Sequence, residues 1–278
     1  MSPFWSLPGR TPSADPTALA GDAAPPPWGS IGTDLTRVAS MAGPVWIPSA
    51  DEVMLPFIKK FGCWEPEEGD YLLQLARPGT VFLDVGASFG YFSRLIASKV
   101  PSTRIHSFEP HPMMARILAL NTWEFGDRVT VWPTALGGER GTVGLSVAEH
   151  NLGDIRARIS EGSFHAVAPL TPLDDLVTGR IDVVKIDSQG FESDILTGMT
   201  AACRANPQMT IVAEFWPSAI TDRHLRPSDV LSLYRSLGFR THLLRDGAAT
   251  AADDDEILGY ATGAGRDGQA TVVLRKSQ

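Results

Sequence analysis

Cysteine is scarce in this chain. Cys63 and Cys203 are the only two in 278 residues, and they lie far apart. That excludes a disulfide framework and any paired-cysteine zinc spacing, and makes a reducing cytoplasm the expected compartment. Basic residues are also in deficit, with 24 Lys and Arg against 32 Asp and Glu and a formal net charge of −8. Such a chain binds phosphate backbones poorly, so no nucleic-acid partner is expected. No run reaches the ~18 apolar residues of a membrane span. The opening MSPFWSLPGR lacks the basic-then-apolar order of a secretory leader, so neither a membrane partner nor a signal peptide is expected.

Residues 1–30 are rich in Pro, Ala, Gly and Ser, with APPPW at 24–28. They read as a flexible or extended arm whose aromatics, Phe4, Trp5 and Trp28, offer docking points. Residues 31–78 read as a helical cap segment. Its helix candidates are SADEVMLPFIKKFG (49–62), capped by Ser49 or Asp51 and interrupted at Pro56, and PEEGDYLLQLA (66–76).

From 79 to 278 strands and helices alternate. The pattern predicts strands at 81–85, 104–108, 128–132, 182–186, 209–214, 239–244 and 270–275. Helices fall at 89–99, 112–122, 191–198 and 227–237. Residues 142–147 and 165–168 read as short strands, and TPLDDLV (171–177) as a short helix capped by Thr171. The acidic run DDDE (253–256) reads as a solvated loop between the last two strands. Near-continuous apolar strands such as IDVVKI (181–186) predict a doubly wound α/β fold, with a mostly parallel sheet covered by helices on both faces. Ligands bind such folds beyond the carboxyl ends of the strands.

The stretch VFLDVGASFGYFSRL (81–95) is a strand, a glycine turn and a helix. Its spacing is Gly86-x-x-x-Gly90, and Asp84 stands where a dinucleotide fingerprint begins with glycine. A carboxylate there repels a pyrophosphate and suits an ammonium group. Ala87 and Phe89 complete the turn. The next strand ends in Glu109, followed by Pro110 and His111. An acid at that strand end is placed to accept hydrogen bonds from two unphosphorylated ribose hydroxyls. Thr134, Ala135 and Leu136, after the third strand, suit a shallow adenine pocket. An ammonium, a ribose and an adenine without phosphates describe S-adenosylmethionine. The alternative for Asp84 and Glu109 is a purely structural role, capping helices or facing water.

These blocks, in order with LNTW, NLGDIR, LTPLDDLV, IDVVKIDSQGFESDILTGM and IVAEFWP, resemble the FkbM-type S-adenosylmethionine-dependent methyltransferases over roughly residues 61–217. The resemblance implies a seven-stranded class I methyltransferase sheet ending in an antiparallel hairpin. It also implies S-adenosylmethionine as cofactor and methylation of a hydroxyl, or less often an amide nitrogen, on a small molecule. It carries over Asp84, Gly86, Gly90, Glu109, Ala135 and Leu136 to the cofactor and Asp187 to the methyl-transfer face. There is one departure. The family's Asp-Val-Glu-Gly is here Asp187-Ser-Gln-Gly190, so that Gln189 replaces a carboxylate.

The expected activity is O-methylation of a hydroxyl on a small-molecule natural product or sugar-like acceptor. The alternatives are N-methylation of a peptide or amide nitrogen, and a binding module without catalysis. Methyl transfer to a hydroxyl needs a proton acceptor near the ends of the fourth and fifth strands. The candidates are Asp187, Glu214, His150 and His224, with His150 favoured over His224. Asp187 could instead cap a helix, and Glu214 could bind substrate or bond backbone. Together those two carboxylates could hold Mg²⁺. His106 and His242 lie within strand patterns and read as structural. Phe215, Trp216 and Trp64 line an apolar substrate pocket or pack in the core. A dimer is one expected assembly.

Overall fold

The computed structural model describes residues 33–147, 155–158, 166–263 and 268–276. The expected N-terminal arm and His150 lie outside the described residues. The chain first forms a hairpin, β1 (Leu35–Val38) and β2 (Val45–Pro48), which the sequence reading missed. Helices α1 (Met54–Phe61) and α2 (Pro66–Leu75) follow. Of the two proposed caps for α1, Asp51 acts: its Oδ1 accepts the N–H groups of Val53, Met54 and Leu55 at 3.1, 2.6 and 3.0 Å. Pro56 falls in the first turn, where a missing N–H costs nothing.

The next elements are β3 (Val81–Val85), α3 (Tyr91–Lys99), β4 (Arg104–Phe108), α4 (Pro112–Thr122), β5 (Val129–Trp132) and β6 (Ala135–Leu136). Strands β7 (Gly141–Val147), β8 (Ile155–Arg158) and β9 (Ala166–Thr171) join β6 in a separate four-stranded sheet. The helix expected at 171–177 is one 3-10 turn, Leu173–Asp175, and Thr171 is the last residue of β9 instead of its cap. Then come β10 (Val183–Ile186), α5 (Glu192–Thr197), α6 (Thr200–Ala205), β11 (Thr210–Phe215), α7 (Pro217–Asp222), α8 (Pro227–Ser236), β12 (Phe239–Arg245), β13 (Ala248–Ala251), α9 (Asp254–Gly263) and β14 (Ala270–Lys276).

The main sheet has the order β13-β12-β14-β11-β10-β3-β4-β5. Strands β5, β4, β3, β10 and β11 are parallel, and β14 is antiparallel to both of its neighbours, β11 and β12. Seven of these strands are the expected ones, and β13 adds an eighth at the edge. The acidic run is not a loop. It opens α9 through a reciprocal cap, in which Asp253 N–H donates to Glu256 Oε2 (3.0 Å) and Glu256 N–H to Asp253 Oδ1 (2.9 Å). Acids in that first turn are also favoured by the helix dipole. No helix among the described residues is long and apolar enough to cross a membrane.

Alternate residues of the central strands feed two cores. Val81, Leu83, Val85, Val184, Ile186, Ile211, Ala213, Val272 and Leu274 face one, and Phe82, Val183, Val212 and Val273 the other. The second core is covered by α1 to α4. Asp84 and Lys185, register partners on β3 and β10, share the face of Phe82 and Val183, so α2 and α3 close over them.

Candidate functional site

Four neighbouring parallel strands bring their carboxyl ends to one edge, and each carries an acid there: Asp84 on β3, Glu109 after β4, Asp187 after β10 and Glu214 on β11. The turn after β3 is tied down by its own backbone. Gly86 and Ala87 N–H both donate to the Phe108 carbonyl at 3.0 Å, and Gly90 N–H donates to Ala87 (2.8 Å). Gly86 has φ +79°, and a Cβ there would lie 1.8 Å from the Asp187 carbonyl oxygen. Gly90 has φ +86°, and its Cβ would meet Leu118 Cδ1 at 2.4 Å. The room that both glycines leave is thus taken by protein atoms, a role the cofactor-based reading of this turn did not include.

Asp84 is fully buried. Its Oδ2 accepts Ser93 N–H (2.9 Å) and Ser93 Oγ–H (2.6 Å), while Oδ1 has no hydrogen-bond partner among the described residues. Burial pushes its pKa up, and Lys185 and the Ser93 bonds offset part of that. Glu109 is 3% exposed. Its Oε2 accepts Ser88 N–H (2.8 Å) and its Oε1 accepts His111 N–H (2.7 Å). Burial nevertheless raises its pKa to about 7, with Asp84 and Asp187 adding to the shift. Half-buried Pro110 links it to His111. Ser88 has a left-handed backbone (φ +50°), and its hydroxyl is buried with no partner among the described residues. Sequence reasoning passed over Ser88, which lies in the turn between Gly86 and Gly90 and donates its N–H to Glu109.

Of the remaining expected cofactor residues, Ala87 and Phe89 are buried in the turn, and the Phe89 carbonyl accepts Asn121 Nδ2–H (2.7 Å). Thr134 Oγ1 lies 3.0 Å from the carbonyls of Ala135 and Pro169. Ala135 and Leu136 are buried in β6 and pair with Leu170 and Thr171 of β9. His106 accepts the Trp132 indole N–H (3.2 Å), and His242 lies 3.3 Å from the Val273 carbonyl, within the sheet as expected.

Lys185 was also missed, although a charged residue inside an apolar strand requires partners. Its side chain is 2% exposed, with the ammonium 3.0 Å from Asp187 Oδ2, 3.5 Å from Glu68 Oε1 of α2, and 4.6 Å from the centre of the Phe92 ring. Burial alone would favour the neutral amine. Asp187, Glu68, Glu65 and Asp84 outweigh it and hold its pKa above the ordinary lysine value. Asp187 Oδ1 accepts Gln189 Nε2–H at 3.0 Å, and the same nitrogen lies 3.2 Å from Glu214 Oε2. Glu192 is buried and closes this loop, its Oε1 accepting Ser188 Oγ–H (2.9 Å) and Gly190 N–H (3.1 Å).

His224 is exposed beyond α7, in a left-handed turn (φ +61°). Its neighbour Arg223 donates to the Gly190 carbonyl (2.7 Å) and to Asp194 (2.8 Å). Phe215 is fully buried in the core, Trp216 is half-buried at the start of α7, and Trp64 packs edge-on against Phe57 at 5.3 Å. Among the described residues no group of three or more His, Cys, Asp or Glu is placed to hold a metal ion.

Comparison with known proteins places this edge in context. The AMB antimetabolite synthetase AmbE of Pseudomonas aeruginosa is 26% identical over 218 residues, covering 63% of this chain and 10% of that protein. The chain therefore spans about a tenth of that relative's length. Among solved structures, a methyltransferase FkbM from Methylobacillus flagellatus superposes with a TM-score of 0.45 at 17% identity, over 72% of this chain and 44% of that one. An S-adenosylmethionine-dependent O-methyltransferase from Thermotoga maritima gives 0.45 at 14% identity, over 87% and 78%. An rRNA methylase from Streptococcus thermophilus gives 0.45 at 10% identity, over 76% and 95%. The model of the methyltransferase FkbM domain matches residues 84–241, from the buried acid of β3 to the middle of β12. The chain belongs to the FkbM methyltransferase family.

Proposed function

We propose that the chain is a cytoplasmic enzyme that methylates a hydroxyl of a small-molecule natural product or sugar-like acceptor, with S-adenosylmethionine as donor. The observation that carries this reading is a charge imbalance. Asp187, Glu68, Glu65 and Asp84 act on one buried cation, Lys185, while Glu109 and Glu192 face Asp187 with no cation between them in these interactions among the described residues. Excess buried carboxylate suits a ligand with positive charge. The unpartnered Asp84 Oδ1 and Ser88 hydroxyl mark where polar ligand groups fit.

When bound, S-adenosylmethionine supplies an activated methyl group whose transfer leaves a neutral thioether. The chain's residues do the rest. Glu109 and Ser88 hold the ribose hydroxyls, and the acid of β3 draws the cationic end of the ligand. Asp187 and Glu214 face the acceptor, orient its hydroxyl and take its proton as the new carbon–oxygen bond forms. The acidic balance of the chain favours a small acceptor over a nucleic acid.

Calorimetry with S-adenosylmethionine, S-adenosylhomocysteine and NAD tests the cofactor class. Binding of the first two without NAD is expected. Absence of S-adenosylmethionine binding at about millimolar concentration would sink the reading. Mass spectrometry of the methylated product then separates oxygen from nitrogen acceptors, and a chain that binds but never turns over is a binding module.

A further inference from the structure

We infer that Gln189 is a positioning residue that takes a cation's place between Asp187 and Glu214, so that this carboxylate pair works without a divalent metal. The inference rests on the reading of those two acids as acceptor-facing groups. Its structural basis is independent of the cofactor.

Strands β10 and β11 are parallel neighbours in the register Ile186–Ala213, and the next residues are Asp187 and Glu214. Like charges side by side on adjacent strands repel, unless a proton, a cation or a donor lies between them. Here the donor is one amide nitrogen, Gln189 Nε2, at 3.0 Å from Asp187 Oδ1 and 3.2 Å from Glu214 Oε2. It has two hydrogens, one for each acid. The other Asp187 oxygen is held by Lys185 at 3.0 Å. Lys185 thus offsets part of the charge from one side, and Gln189 fixes the geometry from the other.

The amide reaches this place from an unusual backbone conformation. Gln189 is left-handed (φ +54°), which a residue with a side chain rarely adopts, and Gly190 follows at φ +94°. The strained turn is held from three sides. Glu192 accepts Gly190 N–H and the Ser188 hydroxyl, Arg223 donates to the Gly190 carbonyl, and the Ala219 carbonyl of α7 lies 2.8 Å from where a Gly190 side chain would begin. Strain held this firmly at a site points to function.

A bound Mg²⁺ would need oxygens at about 2.0–2.1 Å. The amide nitrogen lies between the two acids instead, and turning the amide over to offer its oxygen would give up both donor contacts. The residues present therefore fit an amide bridge and not a metal. Gln189→Glu replaces the donor by a third acid and should make the same place a divalent-cation site.

Mn²⁺ titration followed by electron paramagnetic resonance tests this on the full chain without cofactor. Wild type is expected to bind no Mn²⁺ through these acids up to about 1 mM. Gln189→Glu is expected to bind at least about ten-fold more tightly than wild type, since ligand charge sets such affinities, and to lose the ion when Asp187→Asn is added. Wild-type binding that Asp187→Asn abolishes would overturn the inference, as would a folded Gln189→Glu with no gain. Should Gln189→Glu not fold, Gln189→Ala opens the place without adding charge. Mn²⁺ should then raise its melting temperature and leave that of wild type unchanged, and equal responses would refute the bridge. Metal binding is the readout throughout, so its failure is distinct from failure to bind S-adenosylmethionine.

Discussion

The side-chain amide of Gln189 joins Asp187 and Glu214, the acids at the ends of β10 and β11, through one nitrogen. Two hydrogen bonds to carboxylates at a half-exposed position are together worth about 1–2 kcal/mol. Gln189→Ala should lose that amount of stability in urea denaturation. An unchanged midpoint would mean that the bridge contributes nothing to the fold.

Lys185 is the buried counter-charge to Asp187 and Glu68. Lys185→Met leaves those acids uncompensated and should cost about 3–5 kcal/mol. Adding Glu68→Gln removes one stranded charge, so the double variant should be more stable than the sum of the single changes. A double-mutant cycle with no coupling would disprove the contact.

Glu109 gives the protein a pH dependence. Its pKa is about 7 in the folded chain against the ordinary 4.5. The folded state therefore holds a proton that the unfolded state has released between those values, and stability falls as pH rises through that window. The contribution is fully present below pH 4.5 and lost above about 7, some ~3 kcal/mol in all. Burial also raises the pKa of Asp84 and Glu192, which act in the same sense. Glu109→Gln cannot titrate, so its stability measured by denaturation from pH 4.5 to 7.5 should fall less steeply than that of wild type.

Two glycines with similar φ should respond differently to alanine. At Gly62 (φ +71°) a Cβ meets nothing within 4 Å, whereas at Gly86 it meets a backbone carbonyl at 1.8 Å. Gly62→Ala should cost about 1–2 kcal/mol for the left-handed backbone alone. Gly86→Ala should cost about 4 kcal/mol or more, because the ends of β3 and β10 must also separate. Melting temperatures of the two variants decide this, and similar losses would show that the strand ends are not in close contact.

Ser88 and Glu109 are proposed to share the ribose. Ser88→Ala and Glu109→Ala should each weaken S-adenosylmethionine binding by about 1–3 kcal/mol in calorimetry, from leaving polar ligand groups unpaired. Full affinity in both variants would remove the ribose assignment.

Much of this could be read from one dimension. The order of the main-sheet strands from β3 to β12, with α3, α4, α5 and α8 between them, follows from apolar runs of strand length alternating with helical periodicity, and both are local properties; β6, β8, α6 and α7 were not read from the sequence. Asp84, Glu109 and Glu214 stood out because each lies at or beside the end of a strand, which is visible along the chain, and Asp187 through the family resemblance. The hairpin of β1 and β2 was not legible, because LTRV and VWIP are too short to show a period. The acidic run was read as solvated because charge was weighed before capping, although Asp253 and Glu256 carry the spacing of a reciprocal cap.

The residue types at each strand end, and so the acidic character of this edge, are properties of the chain itself. Which acids meet which donors was decided by the sheet. Its order sets β3 beside β10 and β10 beside β11, so Lys185 lies beneath Glu68 of a helix far away in sequence, and Gln189 reaches two strand ends at once. The turn glycines were equally visible in the chain, but the nearness of the Asp187 carbonyl to Gly86 was not. Hydrogen bonds and charge pairs depend on distance in space, and only the packed sheet brings these atoms within 3 to 4 Å.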